Sequence, residues 1–363
     1  MALVPNELEA LRGKRVLVTG HTGFKGTWLT RILLNLNCQV TGVSLFDEQS
    51  HKHFGGLGMA SKINHQVLDI RDFQRLSEIT RTARPEIIFH LAAQALVARS
   101  FHDPHTTLST NVVGSLNVLE VIRQHCPGVT LVYVTSDKCY KNEEDKRAFS
   151  EEDVLGGSDP YSASKAAAEI LFQSYVSSFF NKIEVSSASV RAGNVIGGGD
   201  WSADRLIPDA MRNLESQSRI TLRNPASTRP WQYVLEPILG YLMIAGGLMD
   251  GRIGSGESWN FGPQINDSST VRQVSELILK FWGNGEICYL DQTVHIPEAQ
   301  YLQLDSSKAQ KTLGWKTFLS LEETVEQTVN WYRRVQLGTP MDIVTDAALE
   351  QYFKIVEERR FSD

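Results

Sequence analysis

A short apolar strand, a glycine-rich turn and a helix follow one another near the start of this chain, and that succession limits the fold more than any other feature. Arg15-Val16-Leu17-Val18-Thr19-Gly20 reads as a buried strand. Gly20-His21-Thr22-Gly23-Phe24-Lys25-Gly26 comes next, and residues 27–35 read as a helix. Glycines at such a turn let the backbone approach a pyrophosphate and pack the helix on the sheet; the helix N-terminus adds N–H groups and a positive dipole end. The alternation then continues. Residues 39–45, 65–70, 86–93, 129–136 and 184–190 read as strands, and 73–83, 106–125 and 161–180 as helices. Near-continuous apolar strands separated by helices predict an α/β fold, a doubly wound parallel sheet covered on both faces.

Beyond residue 193 the pattern changes. Gly197-Gly198-Gly199-Asp200 reads as a flexible turn, and Arg205, Arg212, Arg219, Arg223 and Arg229 recur through the stretch that follows. In a chain of formal net charge −6, such a concentration of guanidinium groups suits a diphosphate. Trp201 and Trp231 flank the arginines and are candidates for a place beside the ligand. Residues 235–248 read as a helix and 258–262 as a last short strand, before a mixed, helical remainder. The expected organisation is a dinucleotide-binding unit over 1–193, rejoined by segments near 232–263, and a smaller mixed unit from 194–231 and 264–363 that holds the substrate.

Composition excludes several classes. The net charge provides no global field for nucleic acid or an anionic membrane. No apolar run approaches the ~18 residues of a membrane span, and residues 1–14 lack the apolar core of a signal peptide. Cys38, Cys126, Cys139 and Cys288 are far apart with no Cys-x2-Cys pair, which suits a reducing cytoplasm better than disulfides or a zinc site; no metal is expected.

The chemistry gathers at Asp159-Pro160-Tyr161-Ser162-Ala163-Ser164-Lys165. Pro160 fits the first turn of a helix and Asp159 its N-cap. Tyr161 and Lys165, four apart, lie on one helix face. A phenol of pKa near ~10 is a poor base at neutral pH, and a neighbouring ammonium is expected to lower it. The result would be a base for a hydroxyl proton while a hydride leaves the same carbon.

An acidic residue about 20 positions past the glycine turn usually holds the adenosine ribose of NAD. Asp47 has that spacing, but the second strand ends near Leu45, which leaves Ser44 as the other occupant. No arginine stands nearby to pair with a 2′-phosphate, although His51 and Lys52 are close, so NAD is favoured over NADP. Asp69-Ile70 meets the adenine, unless Asp69 simply caps the next helix.

Taken together, these residues resemble the extended short-chain dehydrogenase/reductase family, in its nucleotide-sugar branch, over about residues 13–315. The motifs are Thr19-Gly20-x2-Gly23-x2-Gly26, Asp69-Ile70, His90-Leu91-Ala92-Ala93-Gln94, Asn111 with Gly114, and Tyr161-x3-Lys165. Arg191-x2-Asn194, Leu206-Ile207-Pro208 and Asn260-x-Gly262 complete them. Within the branch, Thr135-Ser136-Asp137-Lys138 resembles the hexose 4,6-dehydratases, with Lys138 where most have Glu; that variant, with the Gly-His-Thr-Gly-Phe-Lys-Gly turn, is similar to those acting on CDP-glucose.

The resemblance implies a Rossmann-like sheet and NAD as cofactor, held by residues 20–26 (Gly20, His21, Thr22, Gly23, Phe24, Lys25 and Gly26), Ser44, Asp69, Ile70, Leu91, Ala92, Ala93, Thr110, Tyr161 and Lys165. It implies Gln94, Ser136, Asn194, Arg205, Leu206, Arg229 and Tyr301 as contacts to the nucleotide sugar. The implied reaction oxidises C4, loses water across C5–C6 and returns the hydride to C6, yielding a 4-keto-6-deoxy sugar. Tyr161 would take the 4-hydroxyl proton, Ser136 hold the 4-oxygen, Asp137 protonate the departing 6-hydroxyl and Lys138 act as base at C5. Lys138 can do so only if its pKa falls, and stabilising an enolate oxyanion is its other role.

Two other readings stay open: a 4-epimerase or a dehydratase for another nucleotide, and a non-catalytic NAD-binding regulator. Helices 106–125 and 161–180 carry apolar residues on more than one face (Val112, Val113, Leu116, Leu119 and Val121; Ile170, Leu171, Tyr175 and Phe179), so a homodimer, or a tetramer built from it, is expected through them.

Overall fold

The strands of the main sheet are Arg15–Thr19 (β1), Gln39–Ser44 (β2), Asn64–Val67 (β3), Ile87–His90 (β4), Thr130–Val134 (β5), Ser186–Ala192 (β6) and Glu257–Phe261 (β7). A computed structural model describes residues 6–46, 51–143, 147–217, 219–264, 269–289 and 301–360. The seven strands are all parallel, in the order β7-β6-β5-β4-β1-β2-β3. The chain therefore winds outward from β1 through β2 and β3, then returns to lay β4 on the other side of β1. At such a reversal the connections leave β1 and β4 in opposite directions, and a crevice opens at their carboxyl ends.

Side-chain alternation along each strand builds two cores. Val16, Val18, Phe89, Val132 and Val190 point to one face, beneath Trp28, Leu29 and Ile32 of helix α1 (Phe24–Asn35). Leu17, Val43, Ile88, Leu131 and Tyr133 point to the other. There they meet α2 (Phe73–Ala83), α3 (Ser115–His125) and α4 (Pro160–Ser178) through Leu76, Leu119, Ile122 and Phe172. Each fully buried Leu, Ile or Phe contributes roughly 1.5–3 kcal/mol.

After α5 (Leu206–Gln217), helix α6 (Leu235–Met249) is buried on every side from Leu235 to Leu248. One flank faces the sheet. The other is tied to α8 (Leu321–Gln336) and α9 (Met341–Arg360), which follow α7 (Val271–Trp282). The tie centres on buried Glu236, whose carboxylate accepts the N–H groups of Phe318 at 2.8 Å and Leu319 at 3.0 Å and the Tyr352 hydroxyl at 2.7 Å.

Three segments depart from the sequence expectation. Helix α1 begins at Phe24, so the end of the glycine turn is already its first turn. The stretch 106–125 is not one helix: Pro104–Leu108 leads into a wide π turn over Ser109–Gly114 before α3. The turn brings Gly114 against Ile70, whose Cδ1 would lie 2.7 Å from a Cβ there, and points Asn111 inward. Gly197–Asp200 is packed rather than flexible. Gly198 O accepts the Trp28 indole N–H at 2.9 Å, and Gly199, at φ +84°, lies so close to His53 that a Cβ would fall 2.2 Å from its Nδ1.

Candidate active site

The crevice at the β1–β4 reversal continues into a cavity of about 1740 Å³. The glycine turn forms one wall. Gly23 precedes α1 with no side chain capping the helix, so its first N–H groups face the cavity. Gly26 has to be glycine, because a Cβ would sit 2.0 Å from Gly20 O. Thr22 Oγ1 and Ser44 Oγ share a hydrogen bond of 2.7 Å at the end of β2; Asp47 is outside the described residues. Of the residues expected to hold NAD from the glycine turn onward, His21 alone is absent from the lining. Its buried ring lies over Gly42 of β2, with Nε2 2.7 Å from His65 Nδ1, so the bulk it adds to the turn is turned into the sheet.

Asp69, Ile70, Leu91, Ala92, Ala93 and Thr110 line the same end. Asp69 pairs with Arg71 at 2.6 Å, while Asp72 caps α2 by accepting the Arg75 N–H, so Asp69 is not the cap of that helix. Asn111 is a brace behind the wall: it accepts the Gln94 N–H at 2.8 Å and donates to Gln94 O at 3.0 Å. These features fit a dinucleotide: a bare helix N-terminus, a glycine cradle that a Cβ would fill, and an apolar slot between β3 and β4.

At the centre, β5 delivers Thr135-Ser136-Asp137-Lys138 opposite Tyr161 and Lys165 of α4. Asp159 caps α4 by accepting the Ser162 N–H at 2.9 Å, with Pro160 in the first turn. Ser136 Oγ donates to Asp137 Oδ1 at 2.9 Å and accepts the Lys138 N–H at 3.3 Å. Asp137 is 4% exposed, and its Oδ2 has no hydrogen-bond partner among the described residues. Burial raises its pKa, opposed by Lys138, the Ser136 hydrogen bond and Lys25.

Tyr161 corrects the sequence reading. Burial pushes its phenol up to about 12; the Ser136 hydroxyl lowers it by hydrogen bonding and Asp137 raises it. Burial also pulls the Lys165 ammonium down to about 8, opposed by Cys139 and Glu169. Lys25 reaches the same centre from the glycine turn. Its Nζ donates to Tyr241 OH at 3.3 Å, and burial brings its pKa to about 8 against the pull of Asp137.

The far end of the cavity is lined by Gln94, Asn194, Arg205, Leu206, Arg229 and Tyr301, with Arg223, Trp201 and Trp231. Arg205 Nη1 is held by Asp200 at 2.9 Å. Arg212 is turned away, donating to Trp201 O at 3.0 Å and pairing with Asp209.

The family model for GDP-mannose 4,6 dehydratase matches residues 17–328. The chain belongs to this family. It is 42% identical over 346 residues to a CDP-glucose 4,6-dehydratase of Salmonella typhimurium, covering 94% of this chain and 96% of that protein. Among solved structures, a dTDP-glucose 4,6-dehydratase from Bacillus anthracis in complex with NAD superposes with a TM-score of 0.74 at 22% identity, over 89% of this chain and 97% of that one. DesIV, a dTDP-glucose 4,6-dehydratase from Streptomyces venezuelae with NAD and TYD bound, gives 0.75 at 24% identity, over 88% and 98%. Both likenesses show the fold, the doubly wound sheet described above.

Sequence reasoning missed two parts of this family member's site. Tyr241, which receives the Lys25 ammonium, lies in α6; a single phenol in an otherwise apolar helical stretch was the available signal. Glu169, a carboxylate fully buried one turn past Lys165, accepts from Thr135 and pairs with Arg191 at 2.7 Å; a charge on the alanine-rich face of α4 was the sign of it.

Proposed function

We propose that this family member catalyses the NAD-dependent 4,6-dehydration of CDP-glucose to CDP-4-keto-6-deoxyglucose. The observation carrying this reading is the placement of Ser136, Asp137 and Lys138 against Tyr161 in one cavity, in a chain 42% identical to a CDP-glucose 4,6-dehydratase. A 4-epimerase needs no acid for a leaving hydroxyl, and a buried Asp with a raised pKa is suited to that work.

NAD, when bound, supplies a hydride acceptor at C4 and later a donor at C6. Gly20, Thr22, Gly23, Phe24, Lys25 and Gly26 would hold its pyrophosphate side, Ser44 its ribose, and Asp69, Ile70, Leu91, Ala92, Ala93 and Thr110 the adenine side and the wall. Tyr161, as the phenolate, takes up the 4-hydroxyl proton, and Ser136 orients the 4-oxygen. Once C4 is a ketone the C5 proton is acidic; Lys138, as the neutral amine, removes it while Asp137, as the carboxylic acid, protonates the departing 6-hydroxyl. Arg205 and Arg229 neutralise the diphosphate, Gln94 and Asn194 bind the sugar, and Leu206 and Tyr301 border the nucleoside.

The NAD-binding unit spans 1–193 with the returning segments near 232–263, and the remainder holds the nucleotide sugar. Subunits pair through the helices at 106–125 and 161–180, where Leu108, Val113, Ile170 and Phe179 are exposed. Leu119 and Val121 supply the core-facing side of the same helices. A cytoplasmic location agrees with four free thiols and with the absence, among the described residues, of any helix long and apolar enough to cross a membrane.

The test is incubation of the NAD-loaded protein with CDP-, dTDP- and GDP-glucose or -mannose, followed by alkali and ultraviolet detection of the 4-keto-6-deoxy product. Signal from CDP-glucose at least tenfold above the others is expected. A 4-epimer without the chromophore, or no turnover of any of them, would overturn the reading.

A further inference from the structure

Five arginines lie between residues 205 and 229, and the structure sorts them. Arg205, held by Asp200 at 2.9 Å, is close enough to Tyr161 for its charge to bear on the phenol. Arg229 lines the cavity with it, Arg212 is turned to Asp209 and Trp201 O, and Arg219 is outside the lining. Arg223 is left without a task in the dehydration. It follows the strand Arg219–Leu222, lines the far end of the cavity and pairs there with Asp204, the residue before Arg205.

The pair is open to a ligand. Arg223 Nη2 donates to Asp204 Oδ1 at 3.3 Å, and neither side chain has a second hydrogen-bond partner among the described residues. With side chains 53% and 51% exposed, the guanidinium keeps further N–H groups and the carboxylate a second oxygen for whatever enters the cavity. An ion pair this long and this exposed adds little to stability. Yet Asp204 is at φ +61°, a left-handed conformation that costs a residue with a side chain something to adopt. That turn sets the Asp204 carboxylate beside Arg223 while the next residue, Arg205, reaches back to Asp200.

Resting on the reading of the cavity as a nucleotide-sugar dehydratase site, we propose that Asp204 and Arg223 read the edge of the nucleotide base and select cytosine. A carboxylate only accepts hydrogen bonds, and a guanidinium only donates them. Cytosine presents along one edge the N4 amino donor, then the N3 and O2 acceptors. Asp204 accepts from N4 and Arg223 donates to N3 and O2, so the two rows match group for group. Thymine and uracil present O4, N3–H and O2 instead. Laid the same way round, O4 meets the carboxylate and N3–H meets the guanidinium, and both contacts repel. Turned over, O2 meets the carboxylate and N3–H still meets the guanidinium. The order along the cavity is then base at Asp204 and Arg223, diphosphate at Arg205, and sugar at Ser136 and Tyr161.

The experiment measures binding of CDP and of UDP to the NAD-loaded protein by calorimetry, together with KM and kcat for CDP-glucose. CDP should bind at least about tenfold more tightly than UDP. Asp204→Asn keeps a residue that tolerates the left-handed turn, but its amide can rotate to donate to O4. It should weaken CDP by ~10–100-fold and strengthen UDP, with the loss for CDP-glucose appearing in KM rather than kcat. Asp204→Glu, which keeps the acceptor, should still prefer CDP, and Arg223→Gln should weaken CDP by about tenfold or more. Equal weakening of both nucleotides, an unchanged preference in Asp204→Asn, or a parent that binds the two alike overturns the base-reading pair, while turnover of CDP-glucose keeps the dehydratase reading intact. A parent that prefers CDP and loses the preference in Asp204→Asn, but converts no nucleotide sugar, removes the dehydratase reading and leaves the base contact standing.

Discussion

Glu169→Gln isolates what holds the catalytic centre rigid. Glu169 and Arg191 pair at 2.7 Å with side chains 0% and 2% exposed. The carboxylate also accepts from the Thr135 hydroxyl and, at 2.9 Å, from Ser189. The guanidinium donates to Tyr140 OH at 2.7 Å and Ser258 Oγ at 3.0 Å, and Tyr140 donates to Asn260 Oδ1 at 2.7 Å. One network thus joins the end of β5, helix α4, β6 and β7. The amide keeps the volume of the carboxylate but leaves the Arg191 charge uncompensated in a dry site. Breaking one partner of a buried pair costs about 3–5 kcal/mol. At about 2.1 cal/mol/K of unfolding entropy per residue, a chain of 363 residues shifts by roughly 1.3 °C per kcal/mol, so thermal unfolding should move down by about 4–7 °C. Circular dichroism at fixed pH and protein concentration measures it. Replacing both members, Glu169→Leu with Arg191→Met, should recover more than half of the loss, because no charge is then stranded. A single variant melting within about 2 °C of the parent, or a double variant less stable than the single by the full sum, would refute the reasoning.

Tyr161→Phe should keep the fold and NAD binding while turnover falls by ~10²–10⁴, read as kcat with CDP-glucose; activity within a few-fold would mean the base is misassigned. Lys138→Ala should transfer hydride from CDP-glucose but stall before water is lost, building up absorbance near ~340 nm in a single turnover. Normal product formation would remove Lys138 from the mechanism. Burial holds the Glu236 carboxyl at about 7, above its ordinary 4.5, so the folded protein keeps a proton that the unfolded chain has lost. That contribution to stability is fully present below the unfolded value and lost as pH rises through the folded one, by up to about 3 kcal/mol. Glu236→Gln should flatten the profile in urea unfolding across that window. Ile170→Glu, at an exposed apolar position on α4, should shift the protein from dimer to monomer by light scattering at micromolar concentration; a monomeric parent would sink the assembly.

The parts of the site that were legible in the sequence are those whose requirements are local. The turn from Gly20 to Gly26 announces itself because backbone crowding there admits only glycine, and Tyr161 with Lys165 because four residues bring two side chains onto one helix face. What escaped depends on residues far apart in the chain. The π turn at Ser109–Gly114 lies against Ile70, and the packed turn at Gly198–Gly199 against Trp28 and His53. Lys25, read as part of the phosphate turn, meets Asp137 only because β1 and β5 lie on either side of β4. The Tyr161 phenol misled for the same reason: spacing identifies its neighbour Lys165, but burial, a property of the whole fold, sets its proton affinity.

Thr135 and Ser136 are where these two kinds of constraint meet. Ser136 is extended, at φ −165° and ψ 157°, so the two consecutive side chains point to opposite sides of the backbone. Thr135 turns to Glu169 and the buried ion pair, while Ser136 turns to Asp137 and Tyr161 in the cavity. The catalytic turn is thus anchored from behind by a buried network on the other side of the backbone. A change in the anchor and a change in the turn should therefore separate by assay. Glu169→Gln should lower the melting temperature by several degrees while the residues of the cavity stay chemically intact. Ser136→Ala removes no charge from the core, so the melting temperature should hold within about 2 °C while turnover of CDP-glucose falls by ~10²-fold or more. If both variants altered both readouts to the same extent, anchor and turn would be one mechanical unit, and the division drawn at Thr135–Ser136 would fall.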